Sequence, residues 1–297
     1  DLTKGNIFWK VPVFVLPLMA TTILQLLYTT VDLWTVSTFG GGSLSMSAIG
    51  SNSALINLII TVLVSLATGA NVCISVAKGA NDPIRANKIL HTSFIIAFLG
   101  GILFGIFGFF MSPFFLNWMD TPTSIIDNAT IYLKIYFIGV PFLMIYNYGS
   151  QILRALGDSK KPLYVLMLSG IINVTFDIVF VRFLGLDVMG VAYATVLSEI
   201  ISAILIILLF TFNKNGFVRL KLKELKIDKK ELIEILKIGL PAGIQGLAFC
   251  IPNVLIQSSL YTIHDYTING IPINENEILA GASASQQIES YIFAMLD

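Results

Sequence analysis

Seven long apolar stretches joined by short polar connections constrain this chain more than any other feature. Crossing about 30 Å of hydrocarbon takes about 20 apolar residues of helix. The stretches cover residues 7–31, 47–76, 89–115, 125–153, 162–184, 188–212 and 232–263, and an eighth begins near Leu279 and runs to Asp297. No strand-like alternation competes with this pattern, so the expected fold class is an all-α polytopic membrane protein. Composition agrees: with 12% charged residues and a mean hydropathy of +0.83, the chain carries about half the charge of a typical soluble domain. A net charge of zero argues against a nucleic-acid partner. Cys73 and Cys250 each lie inside an apolar run and imply no disulfide framework.

Basic residues set an expected orientation. Sixteen of the eighteen Lys and Arg fall on alternate connections: before the first stretch, between the second and third, between the fourth and fifth, and between the sixth and seventh. Lys134 and Arg182 are the exceptions. By the positive-inside rule the amino terminus is expected to be cytoplasmic, in an inner (cytoplasmic) membrane crossed several times. The basic segment 213–231 reads as a solvated cytoplasmic linker, with a lipid-surface or regulatory role as the alternative.

That linker also reads as a boundary. KIGLPAGIQGLAF after it is similar to KVPVFVLPLMATTIL near the start, with Leu240-Pro241 against Leu16-Pro17. Ala280-Gly281-Ala282 then stands against Ile49-Gly50-Ser51. Both copies start on the same side, so the expectation is a parallel repeat of two helical bundles. The domains are then a six-helix N-lobe over 1–212, the linker over 213–231, and the first one to two helices of a C-lobe over 232–297. The chain is expected to be a piece of a protein about half as long again.

Inside the fifth stretch lies one carboxylate, Asp177, with Asn173 one helical turn earlier. A charged side chain at mid-membrane depth costs about 2.5 to 3.5 kcal/mol on insertion scales. Four-residue spacing puts both oxygens on one helix face, where they can turn toward a cation or a proton. The alternative is that they only hydrogen-bond helices together. Gln25, Tyr28 and Asp32 share a face of the first stretch at spacings of three and four. Pro17 lacks an N–H and offers that helix a bending point, or a plain kink. Glu199 is open between a proton carrier and an inward helix contact.

Five ordered segments carry a family resemblance: Pro17 with LQLLYTTVD, GANVCISVAKGANDPIRANKILHTS, RALGDSKKPL, GIINVTFDIVF and GVAYATVLSE. Together they resemble the multidrug and toxic compound extrusion (MATE) family, in its DinF/MepA-like branch. The resemblance implies a twelve-helix secondary antiporter with two lobes, driven by H⁺ or Na⁺ and exporting amphipathic, mostly cationic compounds by alternating access. It implies no other cofactor, a bilayer setting and a monomer. It carries a cation site onto Asp32, Asn173, Asp177 and Thr195 and bending with cation occupancy onto Pro17, while the face shared by Gln25, Tyr28 and Asp32 makes Gln25 and Tyr28 candidates for lining the substrate cavity. From Pro241 to Ser259 the sequence has no acidic residue, which moves the expected coupling to the amino lobe.

The residues of the proposed site are hard oxygen donors of the kind small cations prefer. Other classes fit less well. A lipid-linked oligosaccharide flippase would need basic residues facing its cavity, whereas nearly all of them here read as loop residues. An intramembrane enzyme would need a motif such as HExxH or GxSxG, and neither occurs. GDSKK lacks the spaced glycines of a P-loop, and a receptor would leave Asn173 and Asp177 unexplained.

Overall fold

The computed structural model describes residues 7–213, 216–261, 267–268, 271–272 and 275–296. Among the described residues nine α-helices run in the order α1 (Ile7–Phe39), α2 (Ser43–Gly50), α3 (Ser53–Gly79), α4 (Pro83–Trp118), α5 (Ile126–Ala155), α6 (Lys160–Ile178), α7 (Asp187–Phe212), α8 (Lys229–Tyr261) and α9 (Glu275–Leu296). Seven segments among the described residues are long and apolar enough to cross a membrane, α2 and α3 together forming one of them. The protein is a multi-pass, helical membrane protein. Among the described residues the departure from helix is an antiparallel pair of two-residue strands, Thr267–Ile268 and Ile271–Pro272, between α8 and α9. Residues 262–266, His264 included, 269–270 and 273–274 lie outside the described residues, and α9 begins at Glu275, within the connection that the sequence predicts over 264–278.

Helix ends follow local chemistry. The Asp82 side chain accepts from the Arg85 amide at 2.9 Å and Pro83 opens α4, a cap followed by a residue whose missing N–H costs nothing there. At RALGD, Gly157 turns with φ +81° and the Asp158 amide returns to the Leu153 carbonyl at 2.9 Å. Only glycine takes that φ without strain, so α5 stops there. Asp158 then accepts from the Lys161 amide and pairs with its ammonium at 2.8 Å, which starts α6.

The long apolar run 47–76 is not one helix. At Asn52 the chain steps sideways: its side-chain amide bonds the carbonyls of Ala48 at 3.0 Å and Ala129 at 3.1 Å, tying the α2–α3 joint to α5. Likewise α6 does not reach Leu184 as a plain α-helix but widens into a π-helical turn over Val179–Phe183.

Helices pack closely where side chains vanish. Gly101, Gly105 and Gly108 line one face of α4 against α5, where a methyl group on Gly101 would sit 2.4 Å from the Pro141 Cα. Small residues let membrane helices approach until their backbones touch. Helix α8 packs along α3, and α9 against α1 and α2.

The linker reads differently in the structure than in the sequence. It is docked, not solvated along its length. Val218 and Leu220 are buried. Side chains of α4 take the linker's amides: Asn87 accepts from Arg219 at 2.9 Å, His91 from Lys221 at 3.2 Å and Thr92 from Asp228 at 3.0 Å. His91 is buried and also bonds the Asn87 carbonyl at 2.7 Å. Residues 229–231 already belong to α8, whose Glu231 and Glu234 grip Arg85.

Gly101→Ala should lower the thermal unfolding temperature in detergent, at a cost of about 1–3 kcal/mol for overpacking. Gly79→Ala, where the added methyl meets open space, should not. A second expectation concerns Asp228. The Glu231 amide and the Lys88 ammonium at 3.3 Å, against a smaller opposing effect of desolvation, hold its carboxyl below the usual range. Its contribution to docking is therefore complete above the free carboxylate value of about 3.9 and is lost as pH falls through the lower folded value. Carbon-detected titration of Asp228 should show a depressed midpoint that rises again in Lys88→Met.

Candidate functional site

A cavity of about 490 Å³ opens between α1, α5, α6, α7 and α9, and Gln25, Tyr28, Asp32, Asn173, Thr195 and Glu199 are among its lining residues. That volume falls in the range of small-molecule sites. Asp177 stands behind the lining, fully buried.

Three helices bring the predicted cation site together. Asp32 comes from α1, Asn173 and Asp177 from consecutive turns of α6, and Thr195 from α7. The Asp32 carboxyl faces Asp177 and Thr195. Asp32 is buried at 6% exposure. Thr195 donates to the Val191 carbonyl at 3.0 Å, so its oxygen lone pairs remain available. Asp32 Oδ1, Asn173 Oδ1 and both oxygens of Asp177 are sealed from solvent with no hydrogen-bond partner among the described residues. Buried acceptors are nearly always satisfied. Four unsatisfied oxygens in one place call for something that donates or carries positive charge: a proton shared between the carboxyls, or a small cation. Such hard donors fit a small cation well.

The π-helical turn begins two residues after Asp177. A widened turn of this kind is frequent at functional sites and is not visible in an apolar sequence run.

Tyr28 and Gln25 both line the cavity, but Tyr28 has a second task. Its hydroxyl donates to the Leu166 carbonyl, and its ring lies where a side chain on Gly170 would stand. This pins α1 to α6. Helix α1 runs unbroken through Pro17, where the Thr21 hydroxyl bonds the Pro17 carbonyl at 2.8 Å. Glu199 is buried with Oε2 unpartnered among the described residues, and its carboxyl occupies the space that Gly139 leaves open on α5.

Several residues of this region were not singled out from the sequence. Tyr132 and Tyr136 stack with ring centroids 6.5 Å apart and line the cavity beside the carboxyls. Their four-residue spacing in α5 was the available signal. From α9, Gln287 donates to the Leu26 carbonyl at 2.9 Å and to Thr30 at 3.1 Å. Asp187, at the start of α7, accepts from the Gly41 amide at 3.0 Å and from Ser45 at 2.6 Å, clamping the α1–α2 turn. Arg154, which the sequence assigned to a loop, stands in the last turn of α5 and lines the cavity.

The sequence matches the MatE family model over residues 17–179. The chain belongs to the MatE family. It is 31% identical over 276 residues to the probable multidrug resistance protein YpnP of Bacillus subtilis (strain 168), covering 91% of this chain and 60% of that protein. It is 25% identical over 268 residues to the multidrug export protein MepA of Staphylococcus haemolyticus (strain JCSC1435), covering 89% and 58%. The chain thus spans 60% or less of the length of these relatives. Among solved structures, an inward-facing multidrug resistance MATE transporter of the MOP superfamily superposes with a TM-score of 0.77 at 24% identity, over 94% of this chain and 64% of that one. A MOP superfamily transporter from Pyrococcus furiosus Vc1, described as having a binding pocket of reverse polarity, gives 0.79 at 24% identity over 96% and 61%. These structures share the fold.

Tyr28→Phe keeps the ring against Gly170 and removes the bond to Leu166. A loss of about 1 kcal/mol of stability is expected, read as a small fall in unfolding temperature. An unchanged temperature would show that the hydroxyl does not hold α1 to α6.

Proposed function

We propose that the protein is a secondary antiporter that exports amphipathic, mostly cationic compounds, coupled to H⁺ or Na⁺ through Asp32, Asn173, Asp177 and Thr195. The observation that carries this reading is the set of four sealed, unpartnered oxygens between α1 and α6. Family membership and the multidrug-export names of the curated relatives support it.

The mechanism is alternating access. Two facing carboxyls in low dielectric cannot both remain charged without a counter-ion. A proton or cation arriving from outside neutralises them and draws α1 toward α6 and α7; its departure to the cytoplasm releases α1. Helix α1 is suited to move, because it is held to α6 and α9 by a few polar contacts, Tyr28 to Leu166 and Gln287 to Leu26 and Thr30. Pro17, having no N–H to complete the ladder, supplies the hinge. A ligand shifts such an equilibrium only by binding the two states differently. The change from two facing charges to a neutral pair provides that difference. With proton coupling, Glu199 serves as an additional carrier at the same cavity.

In this reading residues 1–212 form one lobe and α8 and α9 begin the second, joined by the linker. The amino terminus and the linker face the cytoplasm, and the protein works as a monomer.

The test is efflux of a fluorescent lipophilic cation from vesicles holding the intact protein, with a proton gradient and a sodium gradient imposed separately. Efflux under one gradient is expected to fall to background in Asp177→Asn, with the variant still inserted and folded. Undiminished efflux in that variant would remove the carboxylate from the mechanism. No efflux from the wild type under either gradient would favour a lipid-linked substrate instead.

A further inference from the structure

The cavity holds one feature that export of cations does not use. Arg154 lines it from the last turn of α5, at the end of the bundle that carries the basic residues. Its Nε is sealed from solvent and has no hydrogen-bond partner among the described residues. The ion pairs there fall to Arg85, Lys88, Lys161 and Lys221, and Arg154 enters none of them. Asp158, beyond the Gly157 turn, is already taken by Lys161. Arg154 is half-buried, its sealed Nε calls for an acceptor, and the planar fork of a guanidinium matches a carboxylate with two parallel bonds.

The lining around it supports a ligand site rather than a solvated surface. Ser150 and Tyr146 stand one and two turns before Arg154 on the same face of α5 and also line the cavity. The acids Asp32 and Glu199 line the cavity as well, from α1 and α7. The cavity therefore has two polarities, a guanidinium on α5 and carboxyls on α1 and α7, with tyrosine rings among the lining.

We propose that Arg154 is an anion subsite of this cavity, which receives the carboxylate of an amphipathic substrate while the acidic residues take its cationic part. This rests on the export reading and assigns, within it, the group that meets the acid of a substrate carrying both charges. Arg154, at the end assigned to the cytoplasm, makes first contact with such a substrate during loading.

The experiment uses a matched pair of probes, a rhodamine dye with a free carboxylate and the methyl ester of the same dye. Binding of both to the intact protein is measured in nanodiscs of zwitterionic lipid, followed by gradient-driven efflux of both from vesicles. The wild type should prefer the free acid by about tenfold, the size of one charge-assisted hydrogen-bonded contact. Arg154→Gln should erase the preference, and Arg154→Lys, a charge without the fork, should keep part of it. Equal affinity of the wild type for the two dyes overturns the proposal whether or not the variants fold. So does a preference that survives in Arg154→Gln. A preference abolished by adding anionic lipid to the nanodiscs overturns the substrate assignment in favour of a lipid headgroup. Export of the ester without any preference for the acid leaves the antiporter reading standing, whereas no gradient-driven export of either dye removes both.

Discussion

Two carboxyl groups placed face to face inside a membrane bundle govern much of what surrounds them. Asp32 and Asp177 are buried, oxygen to oxygen, with an amide and a hydroxyl beside them and no basic side chain among the cation-site residues. In water such a pair would cost little; in low dielectric the repulsion and the lost hydration both grow. The neighbourhood is built to tolerate this without cancelling it. Tyr132 and Tyr136 give aromatic walls, Gly139 gives room for a further acid, and the π-helical turn widens α6 just beyond Asp177. Asp32, Asn173 and Asp177 together hold four sealed oxygens with no hydrogen-bond partner among the described residues.

The rest of the bundle separates what must stay from what must yield. The α4–α5 pair is locked by the glycine face at 101, 105 and 108, and Asn52 ties α2 and α3 to α5. By contrast α1 meets α6 and α9 through polar groups at carbonyls, Tyr28 on Leu166 and Gln287 on Leu26, beside the apolar contacts of Leu33 and Val36. Apolar interlock is unforgiving of small shifts, whereas a hydroxyl on a carbonyl can be exchanged for water or a neighbouring acceptor. The mobile and fixed parts therefore differ in the kind of contact they make.

Much of the architecture was legible in the amino-acid order. Long apolar runs gave the spans, and a single carboxylate at mid-run with an amide one turn away marked the site, because any polar group at that depth needs a reason. Asp32 and Thr195 were placed by family resemblance, and the structure sets them against Asp177. What the order of residues did not show has physical causes. The break at Asn52 depends on a carbonyl of α5 that is distant in sequence. Arg154 counted as a loop residue because a charge at a helix end is usually solvated, yet it belongs to the last turn of α5 and lines the cavity. The linker read as solvated because its charged residues outnumber its apolar ones, while its docking draws largely on backbone amides, which leave little trace in a sequence.

The grip on backbone amides also governs how α7 is joined to α8. Asn87, His91 and Thr92 hold the main chain of the linker at Arg219, Lys221 and Asp228, not its side chains. The path of the linker is thus written on α4, while the linker's own exposed residues stay free to change. Substitutions at exposed positions such as Leu222 and Lys223 would alter the charge and greasiness of this surface without moving the start of α8. The connection behaves as a rail laid on one helix, along which a variable surface can be carried at a constant geometry.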